Sequence, residues 1–198
     1  MRHNYSRMVA RALSTLFIPP TNLLIVMLLF AFSVEENYSS TYKLIAVSAV
    51  FGVIIPIAVF IYLLKKKKVI NQDAVIKEER TIPYVIGLFL YVTGFLLLYN
   101  SVTLISLSFW FSYISNMMII LLINKYWKIS AHALGIAGPF AAAFYVFGIS
   151  ALPYFLIVLL VGWSRIKLNC HTPAQVLAGT IFGVASVYFQ MLLINRLF

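Results

Sequence analysis

Long apolar blocks alternate with short polar ones along this chain. Residues 12–34, 44–64, 81–124, 129–164 and 168–195 contain no Lys, Arg, Asp or Glu. A helix needs about 20 residues to cross the hydrocarbon of a bilayer. The first, second and last blocks are therefore one span each. Blocks 81–124 and 129–164 are each long enough for a helical hairpin. Asn100 and Ser101 supply a polar break in the first hairpin, and Gly148, Ser150 and Pro153 mark the break in the second. The pattern predicts an all-α, multi-span transmembrane helical bundle of seven spans, forming a single domain over 1–198. Pro19 and Pro20 lack the N–H donors that a continuous helix needs, so 12–34 can instead restart or lie along the surface, which leaves six spans. The basic start and early apolar run also fit a signal peptide. The run is long, however, and no small-x-small site precedes Glu35, so it reads as an uncleaved span.

Composition supports the membrane reading. Hydrophobic residues make up 63% of the chain and charged ones 10%, which excludes an ordinary soluble globule. The single cysteine excludes an internal disulfide. A net charge of +10 would point to nucleic acid in a soluble protein. Here topology and an anionic substrate explain it better. With seven spans, one face carries the N-terminus and the loops near 65–80, 124–130 and 163–171. That face holds all but two of the 15 Lys and Arg, among them Arg2, Arg7, Arg11 and Lys65–Lys68; only Lys43 and Arg196 lie opposite. The positive-inside rule places it in the cytoplasm, in a multi-pass protein of the cell membrane.

Three polar clusters share that face. The first runs from Asp73 to Pro83 and includes Lys77, Glu78, Glu79 and Arg80. The second is Lys128-Ile129-Ser130-Ala131-His132. The third, Trp163 to Gln175, packs Ser164, Arg165, Lys167 and His171 between two apolar blocks. Charge beside hydrocarbon is expensive and marks a functional-site candidate. Each hairpin returns the chain to the same side, so all three clusters meet there. Thr172-Pro173-Ala174-Gln175 also fits a capping box that starts the last helix. Cys170, His171 and His132 lack the spacing of a metal site.

Ser164-Arg165, five residues, then His171 resembles the third signature of the type-2 phosphatidic acid phosphatase family, Ser-Arg-x5-His-x3-Asp. The other clusters resemble that family's Lys-x6-Arg-Pro and Pro-Ser-Gly-His signatures, in the same order. The resemblance implies a membrane lipid phosphatase that needs no metal and no other cofactor. Its partners would be a phosphorylated lipid substrate and the bilayer, with no nucleic acid; the oligomeric state stays open. His171 would be the nucleophile, giving a phosphohistidine. His132 would protonate the leaving oxygen. Arg80, Arg165 and Lys77 would hold phosphoryl oxygens, aided by Ser130, Ser164 and the backbone amide of Ala131.

Several positions depart from the family pattern. Lys77 stands three residues before Arg80 rather than seven. Thr81 and Ile82 separate Arg80 from Pro83. Ala131 replaces a glycine, and Gln175 replaces the Asp that orients the nucleophile. A Gln carbonyl can accept the ring N–H of His171 four residues earlier, but it brings no negative charge. Two alternatives remain: a non-catalytic member that binds or transports phospholipid, and a lipid phosphotransferase. Phosphatidic acid, phosphatidylglycerol phosphate, diacylglycerol pyrophosphate and prenyl diphosphates are the substrate candidates.

Overall fold

The computed structural model describes residues 2–198, with side chains from Tyr5 onward. The side chain of Arg2, one of the residues that set the sidedness, lies outside that description. Among the described residues nine α-helices follow in order: α1 (Arg2–Leu16), α2 (Pro19–Ser33), α3 (Tyr38–Ala49), α4 (Ile55–Lys65), α5 (Thr81–Leu98), α6 (Leu104–Tyr126), α7 (Ala131–Phe147), α8 (Leu152–Lys167) and α9 (Pro173–Leu197). Among the described residues there is no strand. A π-helical turn, Val50–Ile54, joins α3 to α4.

Among the described residues five stretches are long and apolar enough to cross a membrane, and a sixth is added if the bent α1–α2 pair counts as one span. The single span over 12–34 does not form as one helix. The chain bends by 56° between α1 and α2 because Pro19 and Pro20 cannot donate to the turn before them. Side chains satisfy the carbonyls freed at the bend. Thr21 Oγ1 donates to Leu16 O and Ile18 O, both at 2.8 Å, and Asn22 Nδ2 donates to Phe17 O and Ile18 O, both at 3.0 Å. α1 is amphipathic: Tyr5, Met8 and Leu16 point outward, while Ala10 and Ser14 are buried.

Ala131–Lys167 passes as one long apolar stretch. A 3-10 turn at Gly148–Ala151 reverses it, and Gly148 adopts φ 58°, a left-handed value that glycine takes without strain. α7 and α8 therefore lie side by side. Both ends return to one place: Lys128 Nζ, before α7, donates to Cys170 O, after α8, at 2.7 Å.

α7 and α9 make the most extensive helix–helix contact among the described residues. In lipid, helices gain little from excluding water from one another, so close approach depends on small residues. Gly179 and Gly183 supply it. A Cβ at Gly179 would stand 2.6 Å from Ser130 O, and one at Gly183 would stand 2.9 Å from Leu134 O. This contact holds the start of α7 against the start of α9, where Ser130 N–H donates to Gln175 O at 3.2 Å. Elsewhere the core is aromatic, with Trp110, Phe30 and Phe109 fully buried. The π turn touches α2 closely, since a Cβ at Gly52 would meet Leu23 at 2.7 Å. Beyond it, α4 packs on α5 rather than α2.

Candidate functional site

That divergence leaves a cavity of about 520 Å³. Arg11, Ser14, Asp73, Arg80, His132 and His171 line one end. The walls are otherwise mostly apolar, with Pro19 and Pro20 on one flank, Ile57, Phe60 and Ile61 of α4 on the other, and Leu90, Met117, Ile120 and Leu134 behind.

The end of α8 places His171. Asn169 adopts φ 57°, a conformation that asparagine tolerates better than most residues, and the chain folds back on itself there. The amides of Cys170 and His171 both donate to Arg165 O, at 3.0 and 3.3 Å. His171 is thereby held beside its own helix end and just before the α9 cap. Thr172 caps α9, accepting from Gln175 N at 3.3 Å, and Gln175 Oε1 accepts in return from Thr172 N at 3.2 Å. The same Oε1 lies 3.0 Å from His171 Nδ1. A backbone N–H can only donate, so the atom it meets must be the amide oxygen. That oxygen faces Nδ1, so Nδ1 carries the ring proton and Nε2 keeps a lone pair. Capping and tautomer selection are thus two uses of one oxygen. Burial, then the charges of Arg80, Lys128 and Arg165, lower the His171 pKa to about 3, against a smaller upward pull from Gln175. The ring is neutral at physiological pH.

Arg80 is 4% exposed and joins two loops. Its Nε donates to Ala74 O at 2.7 Å and its Nη1 to Ile129 O at 3.1 Å. Its Nη2 sits 3.4 Å from His171 Nε2. Ala74 presents that carbonyl from φ 42°, a strained value for a residue with a Cβ.

Arg165 is fully buried. Its Nη1 donates to Ser14 Oγ and to Asp73 Oδ1, the latter at 2.8 Å, while Asp73 Oδ2 takes Arg11 Nη1 at 2.8 Å. Nε and Nη2 of Arg165, the edge that matches two oxygens of an anion, have no partner among the described residues. Burial raises the Asp73 carboxyl, but hydrogen bonds and charge from Arg11 and Arg165 outweigh it and hold it below the usual carboxylate range.

The structure thus brings Arg80, Arg165, His132, His171 and Gln175 together at one end of the bundle. His132 and Ala131, in the first turn of α7, line the cavity. Ser130 is fully buried and caps α7, accepting from Ala133 N at 3.3 Å. The Ser164 hydroxyl is also buried and donates back to Val161 O at 2.7 Å within α8. Lys77 stands apart from the group: its Nζ donates to Lys125 O at 2.9 Å, tying the first cluster to the end of α6. Sequence reasoning gave Asp73, Arg11 and Ser14 no role in the site. Asp73 did carry a signal, as the sole Asp in a chain with 15 Lys and Arg. Among the described residues no three His, Cys, Asp or Glu side chains gather closely enough to hold a metal ion.

No family model matches the chain, and no curated protein or solved structure matches it.

Proposed function

We propose that this protein is an integral membrane lipid phosphatase working through a phosphohistidine on His171. One observation carries the reading. A single cavity joins a cationic, histidine-bearing end to a largely apolar trunk beside α4, the shape of a site for a phosphate on a hydrocarbon tail. The unpartnered edge of Arg165, buried behind the cavity-lining Asp73, supports an anion-attracting end, because a buried guanidinium edge is costly without negative charge nearby.

The chemistry follows from the tautomer. Nε2 of His171 attacks phosphorus as the P–O bond to the lipid breaks. His132 donates a proton to the departing oxygen. Arg80 Nη2 holds a phosphoryl oxygen, and Arg165, buried behind the Asp73 carboxylate that lines the cavity, adds positive charge as the charge on the phosphoryl oxygens spreads in the transition state. Water, deprotonated by His132, then attacks the phosphohistidine, releasing phosphate and restoring the neutral ring. Lys77 takes no part, since its ammonium is engaged outside the cavity.

We place the site at the cytoplasmic leaflet of a seven-crossing bundle, counting α7 and α8 separately and α2 as a crossing. α1 lies in the interface with Tyr5, Met8 and Leu16 toward lipid. Thiol labelling of a Lys167→Cys variant, in a Cys170→Ser background, should fail from outside intact cells; labelling from outside would refute this sidedness.

A second reading has its own support. Seven residues before Arg80, where the resembling family carries Lys, stands Asp73, and its carboxylate already occupies Arg165. A phospholipid binder without turnover would fit that arrangement. Phosphate release from phosphatidic acid and from a prenyl diphosphate, with EDTA present, separates the two. Release that His171→Ala abolishes supports the phosphatase; lipid binding without release supports the binder.

A further inference from the structure

The inner end of the cavity is polar, which a site for plain hydrocarbon does not need. Tyr91, Tyr113 and Asn116 line it. Tyr113 Oη is buried and finds no hydrogen-bond partner among the described residues. Its ring packs on Tyr91, with centroids 5.2 Å apart. Asn116 is 5% exposed, and its orientation is fixed by α9. Its Oδ1 accepts from Ser186 Oγ and from Gln190 Nε2, the latter at 3.4 Å. Gln190 Nε2 also donates to Ser186 Oγ at 2.6 Å, and Gln190 Oε1 accepts from Ser115. With its oxygen used, Asn116 can present only its Nδ2 amide to the cavity. Two donors, a phenol O–H and an amide N–H, thus belong to residues one turn apart on α6 that border the inner end of the cavity. A buried donor without an acceptor is costly, so the arrangement calls for an oxygen.

Its depth can be read from the helices. From His132 to Pro139 on α7, from Tyr84 to Tyr91 on α5 and from Ile120 to Tyr113 on α6 is two turns each, about 10 Å. Phosphorus bonded to His171 would sit about 3 Å inside the head end. Tyr113 then lies roughly 7 Å further along the lipid, with Asn116 one turn nearer the head end. A glycerolipid places its acyl ester carbonyl at about that reach, six bonds from phosphorus. An isoprenoid tail has no oxygen there.

We infer that Tyr113 and Asn116 form a carbonyl-binding subsite that selects acyl-ester glycerolipids over ether lipids and prenyl phosphates. The inference rests on the lipid-phosphate reading of the site. It makes Tyr113 a specificity residue two turns from the chemistry.

The test compares diacyl phosphatidic acid, its dialkyl-ether analogue and a prenyl phosphate on the purified full chain. Binding is read by native mass spectrometry and phosphate release in parallel. The diacyl lipid is expected to bind about tenfold more tightly than the other two. Tyr113→Phe, which keeps the ring and loses the hydroxyl, should bring that ratio most of the way to one while leaving affinity for the dialkyl lipid unchanged. Should Tyr113→Phe misfold, the ratio in the unsubstituted protein still decides. Equal binding of the diacyl and dialkyl lipids, or a preference that survives Tyr113→Phe, overturns the subsite. A diacyl preference without phosphate release keeps the subsite and refutes the phosphatase reading alone. Release without a preference does the reverse.

Discussion

Gln175→Glu is the most informative single change at the site. Glutamate is isosteric with glutamine and is the residue a capping box favours at this position, so Thr172 N–H keeps its acceptor and α9 keeps its start. What changes is charge. A carboxylate oxygen would lie 3.0 Å from His171 Nδ1, with charge centres about 4 Å apart. At an effective dielectric of 20 that is about 4 kcal/mol of attraction to the imidazolium, or about 3 pKa units. Gln175 is only partly buried, and solvent should reduce the rise to about 2 units. His171 would then titrate near 5 rather than at about 3. Histidine-labelled protein in detergent micelles, followed by ¹⁵N NMR from pH 3 to 8, reads both the midpoint and the tautomer. Phosphohistidine formation should speed up by about tenfold. That is far less than the ~10⁴ by which Asp→Asn slows a serine protease, because Gln175 already fixes the tautomer and lacks only the charge. An unshifted His171 in Gln175→Glu, or a ring that holds its proton on Nε2 in the parent, would refute the reasoning.

Three further outcomes follow from the same geometry. Asp73→Asn should destabilise the protein by about 3–5 kcal/mol, because fully buried Arg165 loses its counter-charge; in a double-mutant cycle read by thermal unfolding, Arg165→Met should recover most of that loss. Gly179→Ala drives a methyl to within 2.6 Å of Ser130 O and should cost about 1–3 kcal/mol in the same assay, together with part of the phosphate release, since it separates the His132 and Gln175 ends. Stability should fall on the acid side in two stages. The folded pKa of His171 lies below its ordinary 6.5, so the unfolded chain binds the extra proton and stability declines as pH drops from about 6.5 toward 3; the depressed Asp73 carboxyl adds a further loss below about 3.8, and a flat profile between pH 7 and 4 would contradict the first stage.

Features that depend on neighbours in the chain were readable before any coordinates. The bend at Pro19-Pro20, the reversal at Gly148 and the capping box at Thr172 each arise from a residue's own backbone chemistry, and each appears. The convergence of Arg80, His132 and Arg165–His171 was also legible, because span length and charge dictate which loops share a face. Long-range partners were not. The Arg11–Asp73–Arg165 bridge joins residues 62 and 92 positions apart, and no periodicity encodes which anion a buried arginine meets. Lys77 lies at the right level, but its direction depends on the carbonyl of Lys125, freed where α6 ends. The π turn that leads α4 away from α2 has no sequence signature beyond Gly52 and Pro56. Tyr113 and Asn116 carry no signal in the sequence, since their meaning depends on the cavity they border.

The central claim is a covalent bond between His171 and phosphorus, and trapping that bond tests it most directly. Purified protein would be mixed with ³²P-labelled phosphatidic acid and quenched in alkali, where phosphohistidine survives. The peptide spanning Leu168–Gln175 would then be sequenced by mass spectrometry. Label is expected on His171, lost in His171→Ala and accumulated in His132→Ala provided with a lipid whose leaving group needs no proton. Label on another residue, or phosphate release that continues in His171→Ala, would contradict it.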